Sequence, residues 1–267
     1  MTGLLLLYAK AALTAFARHG DSLPDTTLSA DAVIDREHLA AYDKVCGFRL
    51  SDALPITYPH VLSFPLQLKL MTARDFPFAL PGLVHIANRI TQTRPLLASE
   101  PLTLNVHAEN LRPHDRGTQF DVVTTAAVED EVVWTDVSTN LKRDGGSGSS
   151  SGQPRETTPP TPTAVWQVPA DIGRRYAKVS GDQNPIHLHA LTAKAFGFPR
   201  AIAHGMWTKA RCLAALEGRL PDAYTVDVHF KAPVLLPSTV NFTTDGKAFS
   251  LHHPRTGKPH LTGTINT

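Results

Sequence analysis

Cysteine is nearly absent: Cys46 and Cys212 are the only two in 267 residues, too few and too far apart for a disulfide scaffold. A reduced, cytoplasmic setting is the expectation. Charge of one sign is missing too, since 26 Lys and Arg stand against 24 Asp and Glu for a net charge of +2. Without a basic block there is no footprint for nucleic acid. Long hydrophobic runs are lacking as well. The apolar start Leu4 to Leu13 is interrupted by Lys10 and has no basic segment before it, so it reads as a packed helix or strand rather than a signal peptide, and it is too short to cross a bilayer. A membrane role is therefore not expected.

What is present is a globular composition, 42% hydrophobic and 19% charged, in a chain long enough for two domains of ordinary size. Residues 144–163 are mostly Gly, Ser, Pro and Thr with almost no large apolar side chain, which predicts a linker. Gly148 to Gly152 formally matches a serine-hydrolase elbow, but no strand precedes it and no helix follows, as that turn requires. The linker predicts an N-terminal domain over 1–143 and a C-terminal domain over 164–267.

The most informative segment is Tyr176-Ala177-Lys178-Val179-Ser180-Gly181-Asp182-Gln183-Asn184-Pro185-Ile186-His187. It sets a carboxylate and an imidazole five residues apart across a stiff turn. Pro185 fixes its own φ and restricts Asn184, and Gly181 opens backbone angles closed to other residues, so the segment is expected to bend rather than run as a helix. Further on, Ile202-Ala203-His204-Gly205-Met206 precedes an apolar helical pattern over Gly205 to Leu216. Free N–H groups at that helix start would lie beside the pair if the chain folds back.

Strands are predicted after the helix. Tyr224 to Phe230 alternates apolar and polar residues, Thr239 to Thr244 and Lys247 to His252 flank the Asp245-Gly246 turn, and His260 to Asn266 adds another. In the first half, Leu104 to Ala108 through Thr118 to Val122 can be laid against Val226 to Phe230 through Thr239 to Phe242, and His60 precedes an apolar run Val61 to Met71 much as His204 precedes its helix. Two copies of one layout are inferred, with the acid/base segment only in the second.

The run Tyr-Ala-x-x-Ser-Gly-Asp-x-Asn-Pro-Ile-His, followed by Ala195-Phe196-Gly197-Phe198 and Ala203-His204-Gly205-Met206, resembles the hydratase 2 signature of the MaoC-like dehydratases. His189 stands where many members carry an acidic residue. The resemblance covers residues 165 to 267 and implies an α+β fold of two hot-dog domains, each an antiparallel sheet wrapped around a long central helix, the first degenerate. It implies an (R)-specific hydratase or dehydratase acting on acyl-CoA or acyl-carrier-protein thioesters, with a homodimer one allowed assembly.

Adding water to a 2-enoyl thioester needs a base, a proton for C2 and a stabilised enolate oxygen. Asp182 is the expected base, His187 the group passing a proton to or from C2, Asn184 the holder of the pair or the water, and the Gly205 N–H the donor to the carbonyl; the division between Asp182 and His187 stays open. His187, His189 and His204 invite a metal reading, but no carboxylate or cysteine sits at an accompanying ligand spacing, so neither metal nor cofactor is expected. Phe196, Phe198 and Trp207 read as core before acyl-tunnel wall. Arg174, Arg175, Lys178, Arg200, Lys209 and Arg211 flank the motif as candidate phosphate contacts or solvated charges. A hot-dog thioesterase is the runner-up, disfavoured because the helix from Gly205 carries no carboxylate before Glu217. A non-catalytic acyl-thioester scaffold is the reading from another class.

Overall fold

Alternation along Tyr224–Phe230 marks a strand with one buried face, and the computed structural model, which describes residues 22–144 and 159–267, places β7 over those seven residues with Val226 and Val228 fully buried. The apolar start, the elbow-like match and most of the linker lie outside the described residues. Strands of the first half are β1 Leu28–Ala32, β2 Leu83–Gln92, β3 Leu102–His114, β4 Gly117–Val128 and β5 Glu131–Arg143. Those of the second are β6 Ala164–Val168, β7 Tyr224–Phe230, β8 Ser238–Thr244, β9 Ala248–His252 and β10 Pro259–Asn266. The β8–β9 turn closes as its residues dictate: Gly246 takes φ 94°, and the Asp245 carboxylate accepts the N–H groups of Lys247 and Ala248 at 2.9 and 2.7 Å.

All ten strands form one antiparallel sheet in the order β1-β3-β4-β5-β2-β7-β10-β9-β8-β6. Counted inward from either edge, the two halves have the same order, so β2 matches β7 and β3 matches β8. The halves join where β2 pairs with β7, from Ala87↔His229 to Gln92↔Tyr224. This is the double hot-dog architecture expected, with one correction. Leu104 to Ala108 lies in β3 and is the counterpart of β8, not of Val226 to Phe230, whose counterpart is β2. The true repeat is carried by the helices: Tyr42-Asp43-Lys44-Val45-Cys46-Gly47 and Tyr176-Ala177-Lys178-Val179-Ser180-Gly181 end α1 (Arg36–Cys46) and α3 (Ile172–Ser180). Each stops at a left-handed glycine, Gly47 at φ 86° and Gly181 at φ 74°.

The central helices are α2 (Tyr58–Met71) and α6 (Gly205–Ala214), with the short α4 (Pro185–Leu188) and α5 (Ala190–Ala195) between α3 and α6. His60 does not precede α2; it sits in its first turn, because Pro59 suits that turn and starts the helix earlier. As expected, Met206, Ala210 and Leu213 of α6 are buried, each worth up to about 1.5–3 kcal/mol for the larger side chains. The helix ends two residues early in tighter turns, Leu216 N–H bonding Leu213 O at 2.9 Å. One apolar core spans both halves, from Tyr42, Tyr58 and Ile90 to Val226, Phe242 and Leu261, and a second, smaller cluster in the first half includes Leu70, Phe76, Val106 and Phe120. Both cysteines are free and buried in it.

Polar residues run through the seam between the halves. His60 Nδ1–H donates to the Asp136 carboxylate at 2.5 Å. The same carboxylate accepts from Asn88 at 2.6 Å and Ser138 at 3.1 Å. Lys209, fully buried on α6, donates to Asn88 Oδ1 at 2.5 Å and to the carbonyls of Asn88 and Val226 at 3.2 and 3.3 Å. This pins α6 to the central strands of both halves.

Candidate active site

Gly181 reverses the chain after α3, and a ladder of local bonds then fixes the loop. The Asp182 N–H donates to Ser180 Oγ at 3.2 Å, Asp182 Oδ1 accepts the Asn184 N–H at 3.1 Å, and Asn184 Oδ1 caps α4 through the Ile186 N–H at 3.4 Å. The segment therefore bends over 181–184 as expected, but Pro185 then starts a one-turn helix that carries His187. Proline serves the first helical position well and Asn184 is a strong cap. The Asn184 side chain thus holds the start of α4.

The chain does fold back. Ile202 N–H bonds Ile186 O at 3.1 Å, and His187 Nδ1 lies 2.8 Å from Ile202 O. A carbonyl only accepts, so Nδ1 carries the proton and Nε2 is left with its lone pair. Burial holds the His187 pKa below its ordinary 6.5, with Asp182 pulling the other way. The ring is neutral at pH 7.

His204 caps no backbone group with its side chain. Its Nε2–H donates to the Asp182 carbonyl at 3.1 Å, its ring stacks on His187 at 3.7 Å, and Tyr176 closes the other side at 4.9 Å. Burial, and then the neighbouring His187, push the His204 pKa down to about 3. Ligand-capable atoms of Asp182, His187 and His204 lie within 4.8 Å of one another. His189, exposed at the end of α4, is not among them. Stacked imidazoles aim their in-plane lone pairs side by side rather than at a common point, which is a poor cage for an ion.

Gly205 opens α6, so its N–H has no intrahelical acceptor. A Cβ there would meet the Phe230 ring at 3.1–3.3 Å; close packing against β7, besides room for a ligand, calls for glycine. Beyond Phe230 the ring of His85 lies at 5.0 Å, so the first half reaches the wall behind the helix start. Trp207 is core, 6% exposed, with its indole N–H on Val45 O at 3.0 Å. Phe196 departs from expectation: it is 48% exposed, because the short α5 leaves it on the surface.

A relative from Mycobacterium tuberculosis described as 3-hydroxyacyl-thioester dehydratase X is 42% identical over 269 residues, 97% of this chain and 96% of that protein. The chain belongs to the MaoC-like dehydratase family. The family's model, described as a MaoC like domain, matches residues 147–253, which contain every side chain of the site except Phe230's neighbour His85. A solved structure of HtdX from the same organism superposes with TM-score 0.80 at 41% identity, covering 90% of this chain and 99% of that one. A MaoC-like dehydratase from Phytophthora capsici shares the fold at TM-score 0.70, 20% identity and coverage of 92% and 96%.

Within this MaoC-like site, sequence reading missed three parts. The tautomer-setting carbonyl of Ile202 has no side-chain signal. Tyr176 was inside the motif but its packing on His204 was not legible. Gly173 is the third: a Cβ there would stand 2.0 Å from the carbonyl oxygen of His187, so α3 lies directly on the backbone of α4. Gly173→Ala is expected to displace His187 and lower turnover by at least about tenfold, in line with the cost of small misplacements of catalytic groups. Activity per folded molecule, with folding followed by circular dichroism, checks this; unchanged turnover would mean that the contact does not position His187.

Proposed function

We propose that this protein adds water to trans-2-enoyl thioesters to give (R)-3-hydroxyacyl thioesters, and removes it in reverse. The observation that supports this most is the meeting of Asp182 and a neutral, Nδ1-protonated His187 at His204, the residue that precedes the helix start at Gly205. The name of the 42% identical relative points to the same thioester chemistry. In hydration, one water is held between Asp182 and Nε2 of His187. As the oxygen bonds to C3, His187 takes a proton, the Asp182 carboxylate stabilises the imidazolium, and the electron pair moves to the thioester oxygen, where the Gly205 N–H receives it. His187 then returns the proton to C2 and the thioester carbonyl re-forms. Atoms and charge balance with one proton carrier. This revises the sequence-based assignment of Asp182 as the base, because a histidine whose pKa is held down by burial starts without a proton to give.

Loss of the ultraviolet absorbance of the conjugated enoyl thioester, on adding the protein to crotonyl-CoA and to a long-chain 2-enoyl-CoA, tests the reading. Release of free thiol instead would favour the thioesterase. No helix among the described residues is long and apolar enough to cross a membrane, and the carrier, CoA or acyl carrier protein, is what that substrate comparison extends to.

Buried neutral histidines make the protein sensitive to acid. Turnover needs neutral His187, so the rate is expected to fall on the acid side, with a midpoint below 6.5. Stability has the same sign. The buried His204, with a folded pKa of about 3, and His85, at about 4 and lowered chiefly by burial, take up protons more readily unfolded. Their contribution is complete above the unfolded value near 6.5 and is lost as pH falls toward those folded values. Thermal melts between pH 4 and pH 7 are expected to rise with pH; a flat profile would contradict the burial of neutral histidines.

A further inference from the structure

Two of the six cations that flank the motif meet a third from the first half in a place that the reaction does not use. A pocket of about 370 Å³ is lined by Lys44 and Gly47 of the first half and by Trp166, Arg175, Trp207 and Arg211 of the second, and none of its lining residues is acidic. The Arg211 guanidinium lies 4.3 Å from the centre of the Trp166 ring, which is itself stacked on Phe242 at 4.6 Å and 16°. Arg211 is half-buried, and among the described residues it has no carboxylate partner; burial lowers its pKa and only the cysteine sulfurs act the other way. A partly desolvated cation without a counter-charge is costly to keep. Of the remaining flanking cations, Arg174 and Arg200 bond the carbonyls of Leu188 and Pro237, and Lys209 is buried in the seam.

Gly47, the counterpart of Gly181, lines the pocket. The pocket thus occupies, on the first half, the place where the second half begins its acid/base loop. Phe48-Arg49-Leu50 stands there in place of Asp182-Gln183-Asn184, so the position has no acid/base pair but has kept a cleft with three cations.

We propose that this pocket binds a phosphorylated nucleotide: Arg175 and Lys44, with the N–H edge of Arg211, hold the phosphates, and the outer face of the Arg211 guanidinium, held flat over Trp166, receives the base. Two arginines and a lysine without acids match a polyanion, and a guanidinium fixed flat over an indole that is itself backed by a second ring offers a rigid stacking platform. The adenosine 3′,5′-bisphosphate end of coenzyme A and a free nucleotide share this chemistry.

Calorimetric titration of adenosine 3′,5′-bisphosphate into the full chain is the test, with Arg211→Gln and the exposed-site variant Lys44→Gln. Saturable binding is expected, weakened roughly ten- to hundredfold by Arg211→Gln and less by Lys44→Gln. Kinetics separate the sources, both of which uphold the site. If the substrate's own nucleotide rests here, Arg211→Gln raises KM for crotonyl-CoA and not for the N-acetylcysteamine thioester; if a free nucleotide does, neither KM moves. Absence of binding, binding equal in wild type and both variants, or adenosine binding as tightly as its bisphosphate overturns the proposal. Because binding is read without turnover, it stands or falls separately from the hydratase reading.

Discussion

Asp182→Asn is expected to slow hydration of a trans-2-enoyl thioester by roughly 10²–10³-fold, the usual cost of losing a group that stabilises transition-state charge, while the fold and thioester binding survive. The substitution is chosen for what it leaves alone. Asparagine keeps the oxygen that accepts the Asn184 N–H at 3.1 Å, and the Asp182 main-chain carbonyl that receives His204 is untouched. The loop should therefore hold its course. What changes is charge: the group facing the His187–His204 stack no longer offsets a proton gained by His187, and it offers a donor where the water needs an acceptor.

His187→Gln removes the proton carrier itself and is expected to cost a similar factor. The double variant should be little slower than either single one, because residues that act on one water as a unit do not add. Losses that multiply would mean that the two groups act in separate steps. Turnover within roughly threefold of wild type in Asp182→Asn, against the loss that its electrostatic role predicts, would remove the carboxylate from the reaction and return the scaffold reading to the front. The assay is the decay of enoyl-thioester absorbance at saturating substrate, so that kcat is read apart from KM.

The site was legible in the sequence to the extent that local chemistry wrote it. Gly181, Asp182, Asn184, Pro185 and His187 form a contiguous stretch whose turn-forming and proton-handling types restrict one another, and Gly205 is set by the helix start. Four strands of the second half, β7 to β10, set by period-two alternation and an Asp-Gly turn, fell within a residue of their observed ends, whereas the edge strand β6, only five residues long after the linker, was not foreseen. The first half was harder for a physical reason. Its strands β3, β4 and β5 are 12 or 13 residues long, and a long alternating strand offers several equivalent registers against a short one. Leu104 to Ala108 was thus matched to the wrong partner, whereas Tyr42 to Gly47, repeating Tyr176 to Gly181, carried the true register on the packing demands of a helix end. Gly173 and the Ile202 carbonyl were invisible because each acts through a backbone contact made only in three dimensions.

The seam between the halves bears the largest expected stability effect. Asp136 is fully buried and accepts from His60, Asn88 and Ser138 at once; burial alone would raise its pKa, but the charges and donors around it hold it below the ordinary carboxylate value. Lys209 leans on the same carboxylate through Asn88, and burial still draws its pKa down to about 7. Removing the acceptor takes the partner from three donors and leaves a buried ammonium without its counter-charge. Asp136→Ala is therefore expected to cost about 3–5 kcal/mol, a fall in Tm on the order of 10 °C for a chain of this size. Ser138→Ala removes one neutral donor and should cost only about 1 kcal/mol. Denaturant titration of both variants at pH 7 decides: if Asp136→Ala is no less stable than Ser138→Ala, the carboxylate is not what holds the seam. Because Lys209 lies one helical turn from Gly205 on α6, the same loss should also loosen the helix start, and kcat of the surviving folded protein should fall while that of Ser138→Ala does not.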